Sequence, residues 1–270
     1  MRLSLWWREK MNKTLNFCKR NFKELLRDPL IYIFCLGFPI VMIIMFMIIN
    51  KYTGGNTPMF KINSLLPAII MFSYTFVMLT MVILVSKDRQ TFFLKRLYSS
   101  PMKASDYIFG YALVGLVIGL CQTIICIVCS LIIATISNTS FLSLGQILLL
   151  LTSQLPMLIT NIFLGILLGT LFSDKAAPGI CSIFINLAGM LGGCWMPLET
   201  MGNFEIFCRW LPFYPSVYIG RIITNATSAL NTTYTFDNTA KLGLIPIFVF
   251  MAVSIFACVF AFNKSMVSDK

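Results

Sequence analysis

The residues able to do chemistry in this chain are few, and they fall into three groups. The first is a set of carboxamides inside long apolar runs: Gln122, Gln154, Asn161 and Asn186. Such groups can contact a substrate on its path or hydrogen-bond across helices, the commoner use of polar side chains at membrane depth. The second is Cys126 and Cys129, a C-x-x-C pair that reads, inside an apolar run, as small packing residues rather than a redox or metal site. The third is a charged island, residues 87–106, between two apolar runs. Phe93, Leu94, Leu97 and Tyr98 share one helical face there, in steps of three and four, while Arg89, Lys95 and Arg96 project elsewhere. Pro101 should stop that helix, because the residue before a proline leaves the α region. Ser105 or Asp106 can cap the next helix. A two-faced helix of this kind can touch something outside the bilayer; an ordinary basic cytoplasmic loop is the plain alternative.

What the chain lacks narrows the chemistry further. It has no histidine, hence no His-based metal site or general base. Its six apolar runs contain no Asp, Glu, Lys or Arg, whereas ion- and proton-coupled carriers place an ionisable group at membrane depth. That argues strongly against protons and less against sodium, which carbonyls and hydroxyls alone can hold. No nucleophile with an adjacent base and no carboxylate pair suggests a membrane enzyme. No G-x-x-x-x-G-K-[ST] occurs, so ATP would have to act through a separate chain. No metal and no cofactor are expected on this one. A self-sufficient sodium-coupled carrier or channel, and a membrane scaffold that docks a partner without transporting, remain as rival classes.

The elements that must position these residues are membrane helices. Of 270 residues, 58% are hydrophobic and 11% charged, where a soluble domain carries about a quarter charged. The expected fold is an all-α polytopic membrane protein with six transmembrane helices: 30–49, 64–85, 107–136, 144–172, 178–196 and 242–262. Ahead of them, residues 1–29 hold an amphipathic interfacial helix over 6–27, with Trp7, Met11, Leu15, Cys18, Phe22 and Leu25 on one face. No uninterrupted apolar stretch precedes Asp28, so no cleavable signal is expected. Pro39 should kink the first span. Residues 197–223 carry three prolines among aromatics and read as a re-entrant helical hairpin between spans five and six. Gly115/Gly119 and Gly165/Gly169 are small-x-x-x-small pairs that let helices approach closely. With the amino terminus inside, inner segments hold 16 Lys and Arg and outer segments five, which places both termini and the island in the cytoplasm. The net charge of +11 follows from basic residues flanking spans and implies anionic lipid, not nucleic acid, as a partner.

Three segments, in order, resemble the membrane (permease) subunit of a type-2 ABC exporter. Arg20 to Pro39 resembles that family's amphipathic helix followed by a proline-bearing first span. Asp88-Arg-Gln-Thr through Ser100-Pro101-Met102 to Gly110 resembles its charged segment after the second span. Gly192-Gly193 through Met196-Pro197-Leu198-Glu199 to Leu211-Pro212-Phe213-Tyr214-Pro215 is similar to its Pro-Leu-Glu segment and the hairpin before the last span. The chain departs from many relatives at Gln90-Thr91-Phe92-Phe93, where they carry Glu followed by small residues.

The resemblance implies two six-span permease subunits, identical or homologous, around a central path, with two copies of an ABC ATPase subunit holding ATP and magnesium beneath them. Segment 87–103 would then include a coupling helix seated in the ATPase, with Arg89, Phe93, Leu94, Lys95, Arg96, Leu97, Tyr98 and Pro101 in contact and residues 12–28 alongside. The hairpin, with Pro197, Leu198, Glu199, Pro212 and Pro215, would line or gate the exit. The compact loops resemble the bacterial drug- and amphiphile-exporting permeases of the plasma membrane; a polysaccharide or teichoic-acid exporter is the alternative. The chain itself is expected to be non-catalytic.

Overall fold

Apolar runs punctuated by proline and glycine can satisfy their backbone in lipid only as helices, and all the regular elements described here are helical. In a computed structural model of the protein, residues 2–29, 32–54, 57–91, 103–136 and 142–268 are described. Helix α1 (Arg2–Leu25) leads through a π-helical segment (Tyr32–Gly37) into α2 (Phe38–Tyr52). Helices α3 (Ile62–Gln90), α4 (Ala104–Ile136), α5 (Leu144–Leu171) and α6 (Ala177–Leu191) follow. Two short helices, α7 (Asn203–Arg209) and α8 (Phe213–Ile223), precede the last, α9 (Asn238–Ser268).

Five of these segments, with Tyr32–Tyr52 taken as one, are long and apolar enough to cross a bilayer, and α6 is a shorter apolar helix. At 15 residues α6 spans about 22 Å, less than the 178–196 read from the sequence. It ends where Gly193 turns with φ +65°, a conformation that side chains other than glycine's resist. The second span, in contrast, runs five residues past the expected 85 to Gln90. Nothing in Ser86-Lys87-Asp88-Arg89 breaks a helix, so hydrogen bonding outlasts the apolar run. The third span starts at Ala104 and the last covers 238–268, for the same reason. Pro39 stands in the first turn of α2, directly after the π-helical segment. Lacking an N–H, it is accommodated at a change of helical winding rather than inside a regular α-helix.

Helix α3 is the centre of the bundle. Of its most apolar stretch 89% is buried, against 22% to 39% in the other four spans. Its hydroxyls are satisfied locally: Ser73, Thr75 and Thr80 donate to the carbonyls of Ile70, Phe72 and Phe76. Helix α5 lies against it almost backbone to backbone. A Cβ added at Gly165 would sit 2.6 Å from the Met78 carbonyl oxygen, and one at Gly169 would sit 2.9 Å from that of Val82. Gly165→Leu is therefore expected to force α5 off α3 and cost about 1–3 kcal/mol or more. A lower melting temperature of the detergent-purified protein checks this, and an unchanged one refutes the close contact.

Helix α1 packs on protein with a face rotated from the expected one. Phe17, Asn21 and Leu25 are buried, Cys18 and Phe22 are half-buried, and Leu15 is exposed. Phe17 lies edge-on to Tyr107 and Tyr111 of α4, at centroid distances of 5.4 and 5.0 Å, over the gap left by Gly110. The hole at Gly110, rather than the average direction of the apolar stripe, selects which residue points inward.

Candidate functional site

The polar side chains gather into two clusters at the two ends of α3, about 36 Å apart along its axis between Ser64 and Asp88. At the far end, Asp88 is 1% exposed. Its Oδ2 accepts hydrogen bonds from Arg20 Nη1 (2.6 Å) and from the Tyr111 hydroxyl (2.7 Å). Arg20 also meets Glu24 one turn on (2.5 Å), and Lys87 Nζ approaches the same carboxylate at 3.5 Å. One buried carboxylate thus ties α1, α3 and α4 together through charge-assisted hydrogen bonds. Burial opposes the charge on Arg20, but the hydrogen bond and charge of Asp88 outweigh it and hold the guanidinium above its ordinary pKa.

Of the expected coupling residues, Arg89 directly follows this junction. Arg89 Nη1 donates to the Thr170 carbonyl, in the last turn of α5 where carbonyls lack helical partners. Ser86 Oγ donates to Asp174 at 3.3 Å. Phe93, Leu94, Lys95, Arg96, Leu97, Tyr98 and Pro101 fall in 92–102, outside the described residues. The backbone N–H of Lys103 donates to Asp106 (3.0 Å), so Asp106 closes the start of α4 from inside its first turn, not from the capping position ahead of the helix that the sequence suggested.

At the other end of α3, Arg221 of α8 is 1% exposed and is the largest fully buried side chain among the described residues. Its Nη2 donates to the Gly193 carbonyl (2.9 Å), its Nε to that of Ser64 (3.3 Å) and its Nη1 to the Tyr234 hydroxyl (3.3 Å). Glu199 Oε1 lies 3.5 Å from Nη1 and accepts a hydrogen bond from the Tyr234 hydroxyl. Burial raises the pKa of that phenol, so Tyr234 keeps its proton and remains a donor. One guanidinium therefore joins the end of α6, the start of α3, the loop after α8 and the hairpin that carries Glu199. Leu198 is fully buried beside Cys208 and Tyr214. Pro197 precedes the 3₁₀ turn Leu198–Thr200, and Pro212 and Pro215 flank the first turn of α8, where a missing N–H costs nothing. Glu205 accepts from Arg209 and Tyr214, each at 2.9 Å.

Sequence reasoning counted Arg221 only as a basic loop residue. A single arginine between Ile219-Gly220 and Ile222-Ile223 was the available signal, since a charge in apolar surroundings requires partners. Asp88 and Tyr111 were missed because their separation of 23 residues carries no local pattern.

The four carboxamides each meet a different fate. Gln154 and Ser216 exchange two hydrogen bonds (2.9 and 2.8 Å), closing α5 onto α8. Asn161 donates to Met157 O on its own helix (2.9 Å). Asn186 donates to Ser182 O (2.8 Å) and is exposed on α6. Gln122 is fully buried, with neither amide atom partnered among the described residues. Cys126 is buried and Cys129 half-buried, both as free thiols.

No curated protein matches the chain. A family model for the ABC-2 type transporter matches residues 13–225, from α1 through the hairpin to the end of α8 and just beyond. The match takes in both polar clusters except Tyr234, together with the segment between α3 and α4. A bundle of apolar helices without a nucleotide-binding motif of its own, matched over most of its length, belongs to the ABC-2 type transporter family: the protein is a multi-pass ABC permease subunit whose family works with an ABC ATPase.

Proposed function

We propose that the chain is half of a paired permease, identical or homologous, that exports a drug-like or amphiphilic substrate across a bacterial plasma membrane. Two copies of a separate ATPase, carrying ATP and magnesium, drive it, and both termini face the cytoplasm with them. The observation that carries this reading is the Asp88 junction. Arg20 and Tyr111 meet on one carboxylate at the flank of segment 92–102, so a push on that segment is delivered at once to α1, α3 and α4. The six apolar runs hold no Asp, Glu, Lys or Arg to harness an ion gradient, and a lever between two clamped helices is what an external motor requires.

Within this scheme the coupling segment 87–103 receives the ATPase stroke, and the hairpin 197–223 opens or closes the opposite end. The exposed Asn186 on the otherwise apolar α6 supports a polar contact with substrate or with the second permease along that face. The exposed apolar faces of the spans suit an amphiphile better than a glycan.

The test is Leu97→Asp, with the ATPase co-expressed. The expected result is an inserted permease that no longer retains the ATPase and loses at least tenfold of its ATP-dependent efflux of a fluorescent amphiphile from vesicles. Normal ATPase retention with unchanged efflux overturns the coupling assignment. Efflux that persists without ATP but needs a sodium gradient overturns the exporter reading itself.

A further inference from the structure

Beside the Asp88 junction, α1, the turn after it (Arg27–Pro29) and Lys87 of α3 line an open bowl of about 870 Å³. Its wall carries Lys19 and Lys23, one turn apart on α1, and Arg27 in the turn that follows, all exposed and with no ion pair among the described residues. Arg20 and Lys87 complete the rim but are engaged by Asp88 and Glu24. Two carboxylates line the bowl. Glu24 is neutralised by Arg20 and Lys87, and Asp28 stands against the three remaining cations, so an excess of positive charge is left over.

The bowl continues into a second cavity, with which it shares Glu24, Asp28 and Lys87. This one is an apolar notch between Leu25, Phe34, Leu79, Ile83 and Leu84, with about 30 Å³ of room. That is far too small for a drug-sized ligand, whose pockets run to about 300 Å³ or more. It is enough to seat the first carbons of an acyl chain that runs on along the half-buried faces of Phe34, Leu79 and Ile83.

A cationic bowl opening into an apolar notch, where span meets interfacial helix, has the polarity of one kind of molecule. We propose that this junction is a specific site for an anionic phospholipid. The phosphate sits among Lys19, Lys23 and Arg27, and an acyl chain lies over the Leu79–Ile83 notch. A soluble acidic protein surface would match the cations but has no use for the notch. Because the bowl rests on α1 and α3 beside Asp88, lipid bound there bears on the same helices that the Arg20–Asp88 pair holds together.

The experiment is native mass spectrometry of the delipidated full-length chain titrated with dioleoyl-phosphatidylglycerol or dioleoyl-phosphatidylcholine. The wild type should retain phosphatidylglycerol in preference to phosphatidylcholine. Lys19→Gln with Lys23→Gln and Arg27→Gln should weaken phosphatidylglycerol binding by on the order of a hundredfold, about fivefold per cation near a charged headgroup. Arginine at positions 19 and 23 should preserve it, which controls for folding. Leu79→Trp, filling the notch, should weaken the lipid but not glycerol phosphate. Equal retention of both lipids, or an unaffected glutamine variant, overturns the proposal. So does displacement by millimolar inorganic phosphate with Leu79→Trp silent, which marks a soluble-anion site. If the glutamine variant keeps its lipid but loses the ATPase, the row is a protein-docking surface and the proposal fails.

Discussion

Arg221→Ala is expected to release the hairpin and abolish transport, the largest effect of any single substitution in this protein. The alanine variant leaves Glu199 without its cationic partner and strips hydrogen bonds from the carbonyls of Gly193 and Ser64. Breaking a buried ion pair from one side costs about 3–5 kcal/mol, mostly because the surviving charge is stranded. For a chain of this size that lowers the melting temperature by on the order of 10 °C. Arg221→Lys should fare little better, since one ammonium cannot reach in three directions as the planar guanidinium does. Arg221→Met combined with Glu199→Gln removes both charges and should recover much of the melting temperature without recovering transport. A melting temperature within a degree or so of wild type for Arg221→Ala would mean that the guanidinium is hydrated rather than structural.

Asp88→Ala is the second. It frees Arg20 from α3 and leaves the Tyr111 hydroxyl without its acceptor. Arg20 is about one-third exposed and can rehydrate, so the stability loss is about 2–3 kcal/mol, below that of a fully enclosed pair. The functional loss should be larger than that figure suggests. The ATPase still co-purifies, because segment 92–102 is intact, yet efflux falls at least tenfold because the stroke no longer reaches α1 and α4 together. Asp88→Asn, which keeps an acceptor oxygen, should lie between the two. Normal efflux by Asp88→Ala with reduced stability would reduce the junction to a structural clamp.

Much of the fold was legible because bilayer physics leaves few options. A run of about twenty apolar residues must be a helix, and the stretch with three prolines could not be one uninterrupted span. The glycine pair on α5 also read correctly, since small residues four apart are useful only where another backbone comes close. Burial order was not legible: the second span is no more apolar than the third, yet among the described residues α3 is 89% buried along its apolar stretch and α4 39%. The carboxamides show the same limit. Gln154 and Gln122 are the same residue in similar apolar runs, and one finds Ser216 while the other finds no partner among the described residues.

Composition and periodicity by themselves determined the class of this protein: helices that cross a membrane, built on apolar runs without Asp, Glu, Lys or Arg. These are properties of single segments meeting lipid, and lipid reads each segment alone. Tertiary structure alone decided which charges are buried and paired. Asp88 gathers Arg20 from 68 residues upstream, and Arg221 reaches Ser64 across 157. A charge becomes a clamp only when distant chain places its counterpart within about 3 Å and excludes water, and no local pattern in the sequence records that meeting.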